Sequence, residues 1–408
     1  MKIEPGPLPP PIKGFRFSGI HGGLKSRGRR DFALVVADRP AACAAVFTQN
    51  RAAAAPVAVS RRNTADGQAQ AVMVNSGNAN AATGEKGLKF TEWSCRELAS
   101  RLSIDPALVV PCSTGVIGVQ LEKVPFARAV SLGVDGLSRK GFGAAARAMM
   151  TSDAFPKWSH RKLELRARRG DRTDVAVAGM AKGAGMIDPR MATMLAVIVT
   201  DAVLSSGAAA SILRDALPGS FNRVTVDGDT STNDTVVLMA SGQASGEPIE
   251  GPRSAGYAEL AEAAEAIMDD LARMIVRDGE GATKLVDVVV EGAPDTADAE
   301  AVARAIAGST LVKTALAGAD PNWGRIVCAI GNSGVEFDPG KLAIDIDDVA
   351  LAREGTLVSA EAERMARKVM KRDAFKLLVH IGRGVATATV VTSDLTEAYV
   401  HFNSAYTS

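Results

Sequence analysis

Apolar positions along this chain recur with two periods, two residues and about 3.6, the marks of strand and helix. Strand-like runs come early: FALVVAD from Phe32 to Asp38, then CAAVFT, PVAVS and Ala71 to Val74. Asn75 to Gly84 follows as a polar loop of small residues. Its Asn75, Asn78 and Asn80 are open to two readings, ligand donors or Asx-turn residues, and the turn reading fits the pattern better. Helical periodicity covers Lys86 to Leu102, Val124 to Leu132 and Leu137 to Met150. Between the first two lies LVVPCSTGVIG, a strand that opens into Ser113-Thr114-Gly115. KLELRARRG and DVAVAGMAKG read as strands, as does TMLAVIVTD.

The second half continues the alternation. Ser206 to Leu217 reads as a helix, and FNRVTVDGDTSTNDTVVLMASG as two strands flanking a Gly/Asp/Thr loop. Tyr257 to Arg277 is a long helix with Leu260, Ala264, Ile267, Leu271 and Met274 on one face. It stops at Asp278-Gly279-Glu280-Gly281, before the strand TKLVDVVVEG. A helix from Asp298 to Ala307, the loop GADPNWGRI, strands at Val327, Leu342 and Leu377, and a helix from Ala360 to Lys371 come next. A last strand pair, VATATVVTS and AYVHFN, completes the series. The fold class is α/β, and the many hairpin candidates favour antiparallel or mixed sheets faced by helices over a strict βαβ winding.

Composition narrows the function classes. At 408 residues the chain should form two to three domains or lobes. With 47% apolar residues it can bury a large core, and 47 Lys plus Arg against 46 Asp plus Glu leave no field that would draw nucleic acid or an anionic membrane. A small-molecule partner is expected. Aromatic residues are only 4%, too few for base-stacking platforms. Cys43, Cys95, Cys112 and Cys328 are widely spaced with no CxxC, which argues for small buried hydrophobes in a reducing cytosol and against zinc. The proline-rich start has no secretory apolar region and no run is long enough to span a membrane. Without a Walker or dinucleotide fingerprint, neither bound cofactor nor metal is expected.

Candidate chemistry centres on KGAGMIDPRMATMLAVIVTD, Lys182 to Asp201. A glycine-rich approach runs into the Ala192-Thr193 junction just where a buried strand begins, so a hydroxyl stands on rigid support. Cutting that junction would place a new α-amino group, with an ordinary pKa of about 7.7–8.0, beside the Thr193 hydroxyl as its general base. The same residues also read simply as a strand start. Thr114 and Gly115 offer a hydroxyl and an N–H at a strand end, the parts of an oxyanion hole, although STG is equally a common turn.

VNSGNANAATG, PCSTGVIG, KGAGMIDPRMATML, SFNRVTVDGDTSTNDTV, VRDGEGATKL and VKTALAGADPNWGRI resemble, in order, the signature stretches of the ornithine acetyltransferase family, the glutamate N-acetyltransferases of arginine biosynthesis. The resemblance spans nearly the whole chain. It implies a multilayer α/β sandwich of mixed sheets with outer helices, of N-terminal-nucleophile type. It implies self-cleavage before Thr193 into an alpha chain, 1–192, and a beta chain, 193–408. Thr193 would then attack the acetyl group of N2-acetylornithine and pass it to glutamate by ping-pong transfer through an acetyl-threonine ester. Thr114 and Gly115 match the family's oxyanion pair, and Ser152, Lys182, Thr193, Glu280, Asn403 and Ser408 its substrate contacts. A cytoplasmic heterotetramer of two alpha and two beta chains is implied, and acetyl-CoA is admitted as a second donor.

Two stretches depart from the family's pattern. Thr151-Ser152-Asp153-Ala154 stands where TTDT is common, and Val391-Thr392-Ser393-Asp394 where an aromatic-Gly-Cys-Asp run is frequent. Two rival functions share these motifs: an N-terminal-nucleophile aminopeptidase or amidase that gives its acyl group to water, and an unprocessed binding protein. The intact Ala192-Thr193 junction, Thr114, Gly115 and Lys182 speak against the second.

Overall fold

The computed structural model describes residues 4–25, 28–166, 172–188 and 194–405. These form two compact units. The larger comprises Glu4–Asn222 and Asp229–Ile275, and the smaller Arg223–Gly228 with the chain from Val276 onward.

In chain order the larger unit contains β1 (Phe15–Ile20), β2 (Phe32–Phe47), α1 (Ala55–Asn63), β3 (Gln68–Asn78), α2 (Gly84–Leu102) and β4 (Val109–Val116). Then come α3 (Lys123–Asp135), α4 (Phe142–Met149), β5 (Lys157–Arg166), β6 (Arg172–Lys182), β7 (Leu195–Thr200) and α5 (Ser206–Ala216). The two-residue strand β8 (Val224–Thr225) belongs to the smaller unit, and the larger one resumes with β9 (Thr235–Ala240) and α6 (Tyr257–Arg277), whose last two residues pass into the smaller unit. The sheet order is β4-β3-β2-β9-β7-β6-β5, with β1 on β2. The pairs β3–β4 and β7–β9 are parallel and the others antiparallel.

Alternation along β2 sets the two faces of this sheet. Ala33 and Val35 join Phe15, Phe17, Val72 and Val74 in a core shared with Phe142 and Met149 of α4. Phe32 and Leu34 face the opposite way, onto Phe90 and Leu98 of α2 and Phe126 of α3. The Phe17 and Phe142 rings meet edge-on at 5.1 Å and 68°, a geometry worth about 0.5–1.5 kcal/mol beyond simple burial. On α6, Leu260, Ala264, Ile267, Leu271 and Met274 are all buried, as the helical period requires.

The smaller unit adds β10 (Leu285–Ala293), α7 (Thr296–Ala307), α8 (Thr310–Ala317), α9 (Trp323–Gly331), β11 (Ala343–Ile346), β12 (Val349–Arg353) and β13 (Thr356–Leu357). It ends with α10 (Ala360–Val369), β14 (Ala374–His380), β15 (Ala386–Ser393) and α11 (Glu397–Ala405). Its sheet order is β13-β12-β11-β14-β10-β15-β8, again mixed. Val288 and Val290 of β10 pack with Val302 and Ile306 of α7 in its core. The mixed-sheet α/β expectation holds in both units.

Four local readings are corrected. PVAVS is helical, in α1: Pro56 occupies the first turn, where its missing N–H costs nothing, and Val57, Val59 and Ser60 face inward. Val327 lies inside α9, which Asn322 caps by accepting from the Arg325 N–H at 3.2 Å. AYVHFN is helical in α11, where the chain turns at Thr396, whose hydroxyl donates to the Gly281 carbonyl at 2.7 Å. CAAVFT is not a separate strand but the second half of β2, beyond a register slip between Val36 and Ala41. The two strands read in FNRVTVDGDTSTNDTVVLMASG both form, as β8 and β9, in different sheets.

Candidate active site

The parallel pair β3–β4 delivers Ser113-Thr114-Gly115 alongside Asn75-Ser76-Gly77. Ser113 donates to Asn75 Oδ1 at 2.6 Å, and Asn75 Nδ2 donates to the Asn78 carbonyl at 2.8 Å. From the loop before β9, Asn233 Nδ2 donates to the carbonyls of Ala79 at 2.6 Å and Ser113 at 2.9 Å. Asn78 and Asn80 are likewise engaged within the protein, through the Val119 and Gly87 carbonyls. These asparagines therefore build the strand ends. Gly115 has φ +130°, and a Cβ there would stand 2.3 Å from the Gly77 carbonyl carbon, so only glycine fits.

Lys182, the last residue of β6, is buried and lies opposite Leu195, the first residue of β7. Its ammonium donates to Thr114 Oγ1 at 3.2 Å. On the other side of that junction, the Met194 carbonyl accepts from the Thr235 N–H at 3.0 Å. Ala192 and Thr193 themselves lie outside the described residues, as does Ser408.

Next to Lys182 is Asp153. Its Oδ1 accepts from Lys157 Nζ and from the Gly183 N–H, both at 2.7 Å, and its Oδ2 from the Thr151 N–H at 2.8 Å. The side chains of Asp153 and Lys157 are fully buried. Burial pushes the Asp153 carboxyl up, but the charges of Lys157 and Lys182 and the Gly183 N–H outweigh it and hold the group well below the usual carboxylate range. Ser152, half-buried, sits in this turn between Thr151 and Asp153. Sequence reasoning passed over Asp153 and Lys157, although their i, i+4 spacing in TSDAFPK was visible. Asp234 is a further buried carboxyl: burial pushes it well above its ordinary value, while Ser231 and Lys182 pull it back.

In the smaller unit, Asn403 Nδ2 donates to Glu280 Oε2 and to the Tyr399 carbonyl, both at 3.1 Å. Glu280 and Asn403, 123 positions apart, are thus brought together. The anchor beneath them is Asp394, which accepts from the Thr283 N–H at 2.8 Å, the Thr283 hydroxyl at 2.5 Å and the Lys284 N–H at 3.0 Å. Among the described residues no cluster of three or more His, Cys, Asp or Glu is placed to hold a metal, and no helix is long and apolar enough to cross a membrane.

The chain is similar to known proteins over nearly its whole length. The arginine biosynthesis bifunctional protein ArgJ of Geobacter sulfurreducens is 44% identical over 395 residues, 97% of this chain and 99% of its own. Its namesake from Rhizobium meliloti is 42% identical over 405 residues, 98% of this chain and 96% of its own. The crystal structure of argJ from Bacillus halodurans is 42% identical with a TM-score of 0.50, covering 52% of this chain and 100% of that one. With the ArgJ family model matching residues 16–408 besides, the chain belongs to the ArgJ family of arginine-biosynthesis enzymes.

Proposed function

We propose that this chain is a self-processing acetyltransferase that cuts itself between Ala192 and Thr193 and then carries the acetyl group of N2-acetylornithine to glutamate on the Thr193 hydroxyl. The observation that carries the reading is the Lys182–Thr114 contact of 3.2 Å, made at a strand end whose partner strand begins two residues after Thr193. The Bacillus halodurans chain, matched end to end by about half of this one, has the size relation expected of one product of such a cut. Family membership sets aside the hydrolase reading.

In the first half-reaction the freed Thr193 α-amino group takes the hydroxyl proton, and the hydroxyl oxygen bonds to the acetyl carbon. The carbonyl electron pair moves onto oxygen, where the Thr114 O–H and Gly115 N–H receive it. Collapse expels the ornithine α-nitrogen, which takes the proton and leaves an acetyl ester on Thr193. The glutamate amine then attacks that ester, and Thr193 regains its proton. Lys182 serves the substrate carboxylate and shares its ammonium with Thr114. On the family resemblance we also assign Ser152, Glu280, Asn403 and Ser408 as substrate contacts, acetyl-CoA as a second donor, two copies of each product chain as the assembly, and the cytoplasm as the compartment.

Intact mass under denaturing conditions tests the cut. Wild type should give two species, the second starting at Thr193, and Thr193→Ala one uncut chain without transfer. A Thr193→Ala protein that still moved acetyl groups from N2-acetylornithine to glutamate would overturn the mechanism.

A further inference from the structure

Lys25 is a half-buried cation that the transfer chemistry above leaves unused. Its backbone is pinned from below, since the Asp31 carboxylate accepts the N–H groups of Gly22 at 2.5 Å, Leu24 at 2.7 Å and Lys25 at 2.9 Å. The side chain then runs over Gly77, where a Cβ would come within 2.7 Å of Lys25 Cγ. Gly77 in turn backs Gly115, so the lysine stem lies one residue behind the oxyanion turn. The ammonium donates to the carbonyls of Arg30, at 3.1 Å, and Met150, the residue that leads into Thr151-Ser152-Asp153.

Both partners are neutral. Among the described residues Lys25 forms no ion pair, and the two nearby carboxylates are committed elsewhere: Asp31 to three backbone N–H groups, Asp153 to Lys157, Gly183 and Thr151. Burial pushes the Lys25 ammonium down to about 8, with Asp31 and Asp153 pulling it back and Lys182 adding to the fall. It stays mainly charged at neutral pH. A cation with three donors and two neutral acceptors is completed by one incoming carboxylate.

The two substrates of the transfer differ in this respect. N2-acetylornithine carries one carboxylate, whereas glutamate carries two. We propose that Lys25 determines acceptor specificity by receiving the side-chain carboxylate of glutamate, while Lys182 receives the α-carboxylate that both substrates share. This assignment rests on the acetyl-transfer reading, and the two are tested apart. Release of ornithine and formation of acetyl-enzyme by wild type tests the transfer; the acceptor preference of Lys25 variants tests the assignment.

The experiment measures the two half-reactions separately in wild type and Lys25→Met, with glutamine as the comparison acceptor because it lacks the side-chain charge. Ornithine release should be unchanged within about twofold, while KM for glutamate rises about tenfold or more and the preference for glutamate over glutamine falls by a similar factor. Equal losses in both half-reactions would assign Lys25 a structural role and overturn the proposal, as would an unchanged acceptor preference. Lys25→Gln keeps two N–H donors on a side chain one bond shorter and removes the charge. It is read by the same criteria should Lys25→Met fail to fold or cut.

Discussion

The Lys182 ammonium donates to the Thr114 hydroxyl across 3.2 Å, joining the last residue of β6 to the end of β4. A hydroxyl that accepts from an ammonium has its own proton free to point elsewhere, which is what an oxyanion donor must do. Under the proposed oxyanion role, Thr114→Ala should lower kcat by about 10²–10³ with little change in KM, since the lost bond would be made to charge that appears only in the transition state. Thr114→Ser should recover most of that loss. Steady-state kinetics with both substrates decide it.

Asp153 and Lys157 form a buried pair beside the same site. Asp153→Asn removes a buried carboxylate partner of Lys157 and should destabilise the protein by about 3–5 kcal/mol at neutral pH. The Asp153 carboxyl is depressed in the folded state, so its stabilisation is fully present above its unfolded value of about 3.9 and is lost as pH falls through the lower folded value. The difference in unfolding temperature between wild type and Asp153→Asn should therefore be largest from pH 5 to 7 and narrow as acidity increases below about pH 4. A gap that widened in acid would contradict this account.

Asp394 ties the end of β15 to Thr283 and Lys284 through three accepted hydrogen bonds, immediately before the helix that carries Asn403. Asp394→Ala should cost about 1–3 kcal/mol. Under the proposed substrate role of Glu280 and Asn403, it should also raise the substrate KM more than it lowers kcat, because that pair loses its footing. Thermal unfolding and kinetics on one preparation separate these effects.

Of the four cysteines, Cys43, Cys95 and Cys112 are buried and Cys328 is exposed. Burial pushes each of the three buried thiols up to about 12. A thiol-alkylating reagent at pH 8 should label Cys328 alone in the native protein and all four after denaturation. Peptide mapping checks the assignment.

Long periodic segments were legible in the sequence: the Tyr257–Arg277 helix has the bounds its apolar period predicts. The failures came where β-rich composition met a competing local signal. Val57 and Val59 favour strand, but Pro56 preset the first helical turn, and Asn322 capped a helix across the apolar run holding Val327. Glycine and hydroxyl residues singled out Thr114, Gly115 and Lys182, and the fold brings Lys182 onto Thr114. For Asp153 the sequence showed only its i, i+4 spacing to Lys157, because its bond to the Gly183 N–H spans 30 positions. The bond between Asp394 and Thr283 likewise spans 111 positions. Thr151-Ser152-Asp153-Ala154 keeps the buried Asp, so the departure at Ala154 spares the group that binds Lys157.

The strand order β2-β9-β7-β6 has a consequence for how such an enzyme can be made. β7 and β9 both follow residue 193, yet they are inserted between β2 and β6, which precede it. Taken alone, the first segment would hold two part-sheets separated by a slot of about 14 Å, three strand spacings, and the second would hold two apolar strands with both flanks open. Neither product of a cut could complete the sheet of the larger unit without the other. Assembly of the larger unit is therefore performed by one continuous chain, and under the proposed self-processing the severing must follow it. The two pieces expressed from separate genes should aggregate, and a matured enzyme once denatured should not find its way back.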